Sequence, residues 1–442
     1  MSKKFRDCLF YLFIIFFVIG TLLLSLYASG HKFNLSWPLK FNRLIIKTGM
    51  IAVDTVPGGA IVYLNDKPQS NLSLNPFKKE YLNTAAKVKN VLPGEYDLRL
   101  ERAGYWPFQK KIFVYSGQTT FAEDINLFRE DTPLLLAASA ETETQLSASR
   151  KYLYIPAVKK IITLKNDEAR IIPEDGGSSS WLKNEDKLLA AGNIYGINAA
   201  GDAQYEQLIG TEADNWYLDE SKNRLYYRAG NSLAYLKLAN KTSALAVSGE
   251  TYPTYEPRGE NLFFVSSDSG RVSVKRYSLL SQKIENELNL PAVGQYEFRH
   301  DGAKSLVLYD NQNKTLYLLN PDNLTGGGQT IKDIISWQWL DENTLLYNNT
   351  WEIYRFDLKT GNSDLLTRVG EEIKKIIWNG DKNYLIFSTA NSLNALDIKM
   401  SAATKIFQAE KITGASLDEK NDIIYFWAKI GAAAGVYKMI LQ

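Results

Sequence analysis

Histidine and cysteine are almost missing from this chain: 442 residues hold two histidines, His31 and His300, and one cysteine, Cys8. A general base working near neutral pH is most often histidine. Past the N-terminal region only His300 is left, in the turn FRHDGAKS, where it reads as a solvated turn residue. A Ser-His-Asp hydrolase would need it beside a nucleophile, and no G-x-S-x-G elbow is present. Cysteine and histidine metal sites are excluded by the same scarcity, and a lone Cys8 leaves nothing to pair in an intramolecular disulfide. Charge of one sign is lacking too. Lysine and arginine number 51 against 49 acidic residues, a net charge of +2, so there is no electrostatic case for a nucleic-acid partner. No G-x-x-x-x-G-K-[ST] loop occurs, and TGGGQ (325–329) reads as a connecting loop. The acidic stretches DNQNK (310–314) and DEKND (418–422) lack EF-hand spacing; oxygen-ligated calcium is the one metal reading they leave open. No catalytic, cofactor-binding or metal-ligating residue is assigned, no cofactor is expected, and the ligand-binding residues are unknown at this stage.

What is plentiful is apolar and aromatic. From Leu9 to Tyr27 the chain runs LFYLFIIFFVIGTLLLSLY without a charge. Nineteen residues at about 1.5 Å each reach roughly 28 Å, the thickness of a hydrocarbon core. The expectation is a short basic cytoplasmic tail (1–8), a transmembrane helix (9–28) and a juxtamembrane linker (29–47). The competing reading is a cleaved signal peptide, with ASG (28–30) as its site, but the apolar run exceeds the usual leader core of about 7–15 residues. Lys3, Lys4 and Arg6 precede the run, while Lys32, Lys40, Arg43 and Lys47 follow it. The tighter cluster lies upstream, which favours the N-terminus inside and the bulk of the chain outside a cytoplasmic membrane. Trp37 is then placed at headgroup level and His31 in the juxtamembrane water.

Residues 48–128 alternate as short strands. In TGMIAVDTVPGGAIVYLND (48–66), Ile51, Val53 and Thr55 alternate, Pro57-Gly58-Gly59 turns, and a second strand follows. LPGEYDLRLERAGYWPF (92–108) and KIFVYSGQT (111–119) supply further strands, with Gly94 and Gly104 at turns. A small antiparallel β-sandwich is expected. These motifs, in this order, resemble the PEGA domain, although QSNLSLNP (69–76) lengthens the middle loop. The resemblance implies a small extracytoplasmic β-module found beside membrane anchors and envelope proteins, serving as spacer or binding unit.

Along 131–442 one pattern recurs. YLYI, KLLAA, RLYY, NLFFV, SLVLY, TLLYN, YLIFS and DIIYFW share a hydrophobe at Leu153, Leu188, Leu225, Leu262, Leu306, Leu345, Leu385 and Ile424, recurring every 35 to 44 residues. A second run follows each about ten residues on, as in EIYRFDLKTG (352–361). Four short strands in about 40 residues describe a propeller blade. The turns RHDGAKSL, PRGENL and NGDKNYL resemble those of TolB-type and WD-repeat propellers. Eight blades follow by count, with seven the alternative. The chain ends on GVYKMILQ, a third strand without a fourth, and TPLLLAA (132–138) is expected to complete that blade, since an open edge would expose unpaired backbone groups.

Trp181, Trp216, Trp337, Trp339 and Trp378 fall near first strands of their blades. They are expected to wedge between sheets rather than line the channel. The expected partners are the lipid bilayer, through the N-terminal helix, and a protein or glycan of the cell envelope bound by the propeller. The alternative is the specificity domain of an envelope hydrolase or another propeller enzyme; convergent buried acids in the channel would favour it.

Overall fold

A computed structural model describes residues 3–33, 45–70, 80–172, 179–181, 186–190, 193–197, 203–207, 214–219, 221–248, 254–299, 304–326, 328–378, 382–420 and 422–442. Trp37 and His300 lie outside the described residues, as do parts of the 325–329 and 418–422 stretches. The chain divides into two compact units. One comprises Met1–Glu130 with Asp397–Thr404 and Gln442, and the other the rest.

The first unit opens with an α-helix, Lys3–Ala28. Its stretch Arg6–Ala28 has a mean hydropathy of 2.7, and none of it is buried against the protein. At about 1.5 Å per residue it reaches roughly 35 Å, enough to cross a bilayer core. Beyond it, His31–Phe33 pairs antiparallel with Ile45–Lys47, so the segment after the helix carries a two-stranded ribbon.

Two sheets follow. Ala86–Val91, Gly49–Val56 and Thr119–Asn126 form one; Lys67–Pro68, Ile61–Leu64, Gly94–Glu101 and Phe108–Val114 form the other. The pairing is antiparallel except between Gly49–Val56 and Thr119–Asn126, which run parallel at opposite ends of the domain's sequence. Alternation decides what is inside. Ile51, Val53, Val62, Leu98, Leu100, Ile112, Val114 and Ile125 form the shared core, while alternate positions such as Lys87, Lys111 and Phe113 are exposed. Gly104 takes φ +77° in its turn, as that position requires.

The second unit is a propeller. Seven four-stranded sheets follow one another at 145–171, 179–207, 214–248, 255–290, 296–331, 336–368 and 375–408, each with its strands in sequence order. The eighth is made of Lys411–Leu417, Ile423–Ile430 and Ala433–Ile440, and its fourth strand is Leu134–Ala138, from the opposite end of the unit. Leu134 pairs with Lys438 and Ala138 with Gly435, so the expected closure is present. The sheets stack face to face. Leu153, Ile155 and Ile162 of blade 1 pack on Tyr425, Trp427 and Val436 of blade 8, and Val307 and Tyr309 of blade 5 on Leu345, Tyr347 and Phe356 of blade 6. Both faces of each second strand are therefore covered. That is why these strands read as unbroken apolar runs, such as the wholly buried Tyr384–Ser388.

Candidate interaction surface

First strands of successive blades lie side by side around the axis and are tied by side chains. Thr254 Oγ accepts the Phe298 N–H at 2.9 Å, Ser336 Oγ accepts that of Ile376 at 2.9 Å, and Trp181 Nε1 donates to the Gln145 carbonyl at 3.0 Å. Across the closure the Thr144 hydroxyl donates to the Gly414 carbonyl at 2.8 Å. The ring is thus rigid around its axis, the condition for loops on its rim to present a fixed surface.

Four of the five tryptophans singled out from the sequence sit where expected, and among the described residues no inter-sheet cluster contains the fifth, Trp378. Trp181, Trp216, Trp337 and Trp339 pack into the clusters between neighbouring sheets, with Trp216 centred 5.5 Å from the ring of Tyr227 and Trp337 5.0 Å from that of Tyr309. The inner strand of blade 4 carries a part-buried ion pair. Glu256 is buried and accepts from Arg258 Nε at 2.7 Å, while Arg258 also donates to the Ser305 carbonyl of the next blade at 2.7 Å.

The two acidic stretches are turn clasps. Asp310 is 0% exposed, and its carboxylate accepts from the backbone of Gln295, Gln312 and Asn313 at 3.0 to 3.2 Å and from Asn313 Nδ2 at 2.6 Å. Burial pulls its pKa up, but these donors outweigh burial and hold it below the usual carboxylate range. Asp418 likewise accepts from the backbone of Asp422 and Ile423, and there burial prevails and raises its pKa. Among the described residues no group of three or more His, Cys, Asp or Glu is placed to hold a metal ion.

One end of the ring carries the turns between second and third strands together with the links from blade to blade. Here lies the residue that sequence reasoning passed over. Trp351, 48% exposed, tops the second turn of blade 6. Asn349 fixes that turn by accepting from the backbone of Trp351 at 2.9 Å and of Glu352 at 2.8 Å. Glu352 in turn accepts from Tyr354 Oη and Asn349 Nδ2, both at 2.7 Å, and from Arg368 Nε at 2.8 Å. Those three donors, Tyr354 first, bring the Glu352 carboxyl down to about 2, and the same bond pushes the Tyr354 phenol up to about 12.

At this end of the ring the links bear ion pairs: Glu372 with Lys374 at 2.8 Å, Glu371 with Lys405 at 3.7 Å, Glu143 with Lys375 at 3.4 Å, Glu410 with Lys429 at 2.7 Å, and Glu141 with Lys411. Solvent-exposed pairs of this kind contribute about 0–1 kcal/mol to stability, so they exchange partners at little cost. An exposed tryptophan on a fixed turn amid re-pairable charge has the composition of an interaction surface. Periodicity could not reveal it, because Trp351 belongs to a turn; the signal was the tryptophan's place in NNTWE, between two strands.

The first unit has a concavity of its own. A cleft of about 630 Å³ is lined by Gly59, Ile61, Glu80, Tyr81, Asn83, Glu101 and Arg102. Arg102 donates to the Gly58 carbonyl and lies over the Tyr105 ring at 5.1 Å.

Residues 48–127 match the PEGA domain family. No curated protein matches the sequence. Among solved structures the chain is similar to the Dos1 propeller (TM-score 0.48, 10% identity, covering 70% of this chain and 94% of that one). It is also similar to the Pan2 WD40 domain of Neurospora crassa (0.40, 12%, 70% and 95%) and to an oligogalacturonate lyase of Vibrio parahaemolyticus (0.40, 11%, 69% and 92%). These likenesses carry no argument, and the propeller assignment stands on the strand order and closure described above. The chain therefore carries one apolar N-terminal helix, a PEGA domain and a β-propeller.

Proposed function

We propose that this is a membrane-anchored extracytoplasmic binding protein, in which the helix Lys3–Ala28 holds the chain to the cytoplasmic membrane and the propeller recognises a protein or glycan of the cell envelope by non-covalent contact. The observation that carries the reading is Trp351, held exposed on a hydrogen-bonded turn of a closed ring, at the end of the ring whose links bear ion pairs of both signs. The mixed charge favours a protein partner, which supplies its own carboxylates and amines to re-pair with the rim. Anchoring is supported by the length and exposure of the apolar helix.

A photo-cross-linking residue at position 351, compared in intact cells with one at Leu280 in an exposed turn at the other end of the ring, tests the binding face. The expected result is a discrete adduct from position 351 only. Trp351→Ala should weaken binding of the captured partner by about 30-fold or more, the effect of losing a hot-spot residue worth about 2 kcal/mol. Equal labelling from both positions, or binding untouched by Trp351→Ala, would remove this face from the account.

A further inference from the structure

We propose that the turn that crosses from Phe108–Val114 of one sheet to Thr119–Asn126 of the other in the PEGA domain is a second membrane contact, its aromatic side chains seated in the headgroup layer of the bilayer that the helix spans. This rests on the anchored reading above. This crossing turn is bonded to the end of the helix through very few links. Ser29 N–H closes the last helical turn on Ser25, and the Gly30 carbonyl accepts from Thr48 N and Oγ1 at 2.7 and 2.6 Å. The Thr48 carbonyl then accepts the Gly117 N–H at 3.0 Å, the Lys47 carbonyl accepts the Ser116 hydroxyl at 3.0 Å, and Met50 N–H donates to the Gln118 carbonyl at 3.0 Å. Gly49 lets the crossing turn lie so close, since a Cβ there would stand 2.5 Å from the Tyr115 carbonyl oxygen and 2.5 Å from Val114 Cγ1. Two layers at about 4.8 Å each place the tip within roughly 10 Å of the helix end, level with the interfacial zone.

On this turn and its flanking strands the outward positions carry the wrong residues for water. Phe113 is 48% exposed, Tyr115 56% and Phe121 64%, while their inward neighbours Ile112, Val114 and Ala122 are buried. Alternation in a half-buried sheet calls for polar groups at such places. Instead the Phe113 and Tyr115 rings pack at 4.7 Å, and the Thr120 hydroxyl ties Phe121's strand to the Phe113 carbonyl at 2.9 Å. Exposed Lys32 and Lys47 flank the tip and offer cations to lipid phosphates. Aromatic rings beside lysines at the end of a spanning helix suit a membrane–water interface. What selects lipid over a protein partner is continuity with the helix end, since the bilayer is the one surface that helix brings to this height.

Cys8 is the only cysteine, so Cys8→Ser gives a background for single labels. The full chain, carrying Tyr115→Cys, Phe121→Cys or Val56→Cys labelled with an environment-sensitive fluorophore, is reconstituted into phosphatidylcholine–phosphatidylglycerol vesicles with or without doxyl-labelled lipid. Val56 is exposed at the far end of the strand that begins at Gly49. The expected result is blue-shifted emission, quenched by doxyl lipid, at 115 and 121, with water-like emission at 56. Flotation of the same vesicles separates the two readings. If the chain fails to float, the anchor and this inference fall together. If it floats but the 115 and 121 labels are water-like, the contact at this turn alone is wrong. Blue-shifted labels that doxyl lipid does not quench would mean that protein, such as a second copy, covers the turn, and would equally overturn it.

Discussion

Asp310 shows how a single side chain organises a blade corner. With no exposed surface, its carboxylate accepts four N–H donors from the neighbouring turns. Asp310→Ala strands those donors in the interior, and a loss of about 3 kcal/mol is expected in urea unfolding. Glu352 makes a pH-dependent contribution instead. Its folded pKa of about 2 lies below the ordinary 4.5, so the carboxylate stabilises fully above about 4.5 and the benefit is lost as pH falls towards 2. The gap in thermal midpoint between the protein and Glu352→Gln should be present at pH 6, narrow through that window and close near pH 2; a gap constant with pH would contradict the assignment. Trp351 rests on the same cluster, so its turn should loosen in that variant.

At the scale of elements, closure is the step on which the propeller depends. Gly435 faces Ala138 across the joint, where a Cβ would stand 2.3 Å from the Ala137 carbonyl oxygen. Gly435→Val should push the closing strand away, leaving the edge of Ala433–Ile440 unpaired. Lower thermal stability and higher-order species in size-exclusion chromatography are expected, whereas an unchanged monomeric profile would show that the joint matters little. This closure was legible in the sequence because the last repeat lacks one strand and TPLLLAA supplies it. The eight second strands were legible for a related reason: covered on both faces, they are unbroken apolar runs that stand out from polar turns. Three-residue strands such as His31–Phe33 and Ile45–Lys47 carry too few residues to show a period. The parallel pairing of Gly49–Val56 with Thr119–Asn126 joins segments about seventy residues apart, which no local pattern encodes. The proposed binding face was hidden for a further reason. Its residues are turn and link positions from several blades, brought together only when the ring closes.

At the scale of the whole molecule, an apolar helix, a PEGA domain and a closed propeller follow one another along the chain. The proposed function places the propeller outside the membrane on an uncleaved anchor. Protease added to intact cells expressing the full chain with a C-terminal tag, followed by blotting for the tag and for the N-terminal segment, tests it most directly. The expected result is loss of the tag with an N-terminal fragment retained in the membrane. A tag protected until the membrane is opened would contradict the account, because the propeller would then face the cytoplasm.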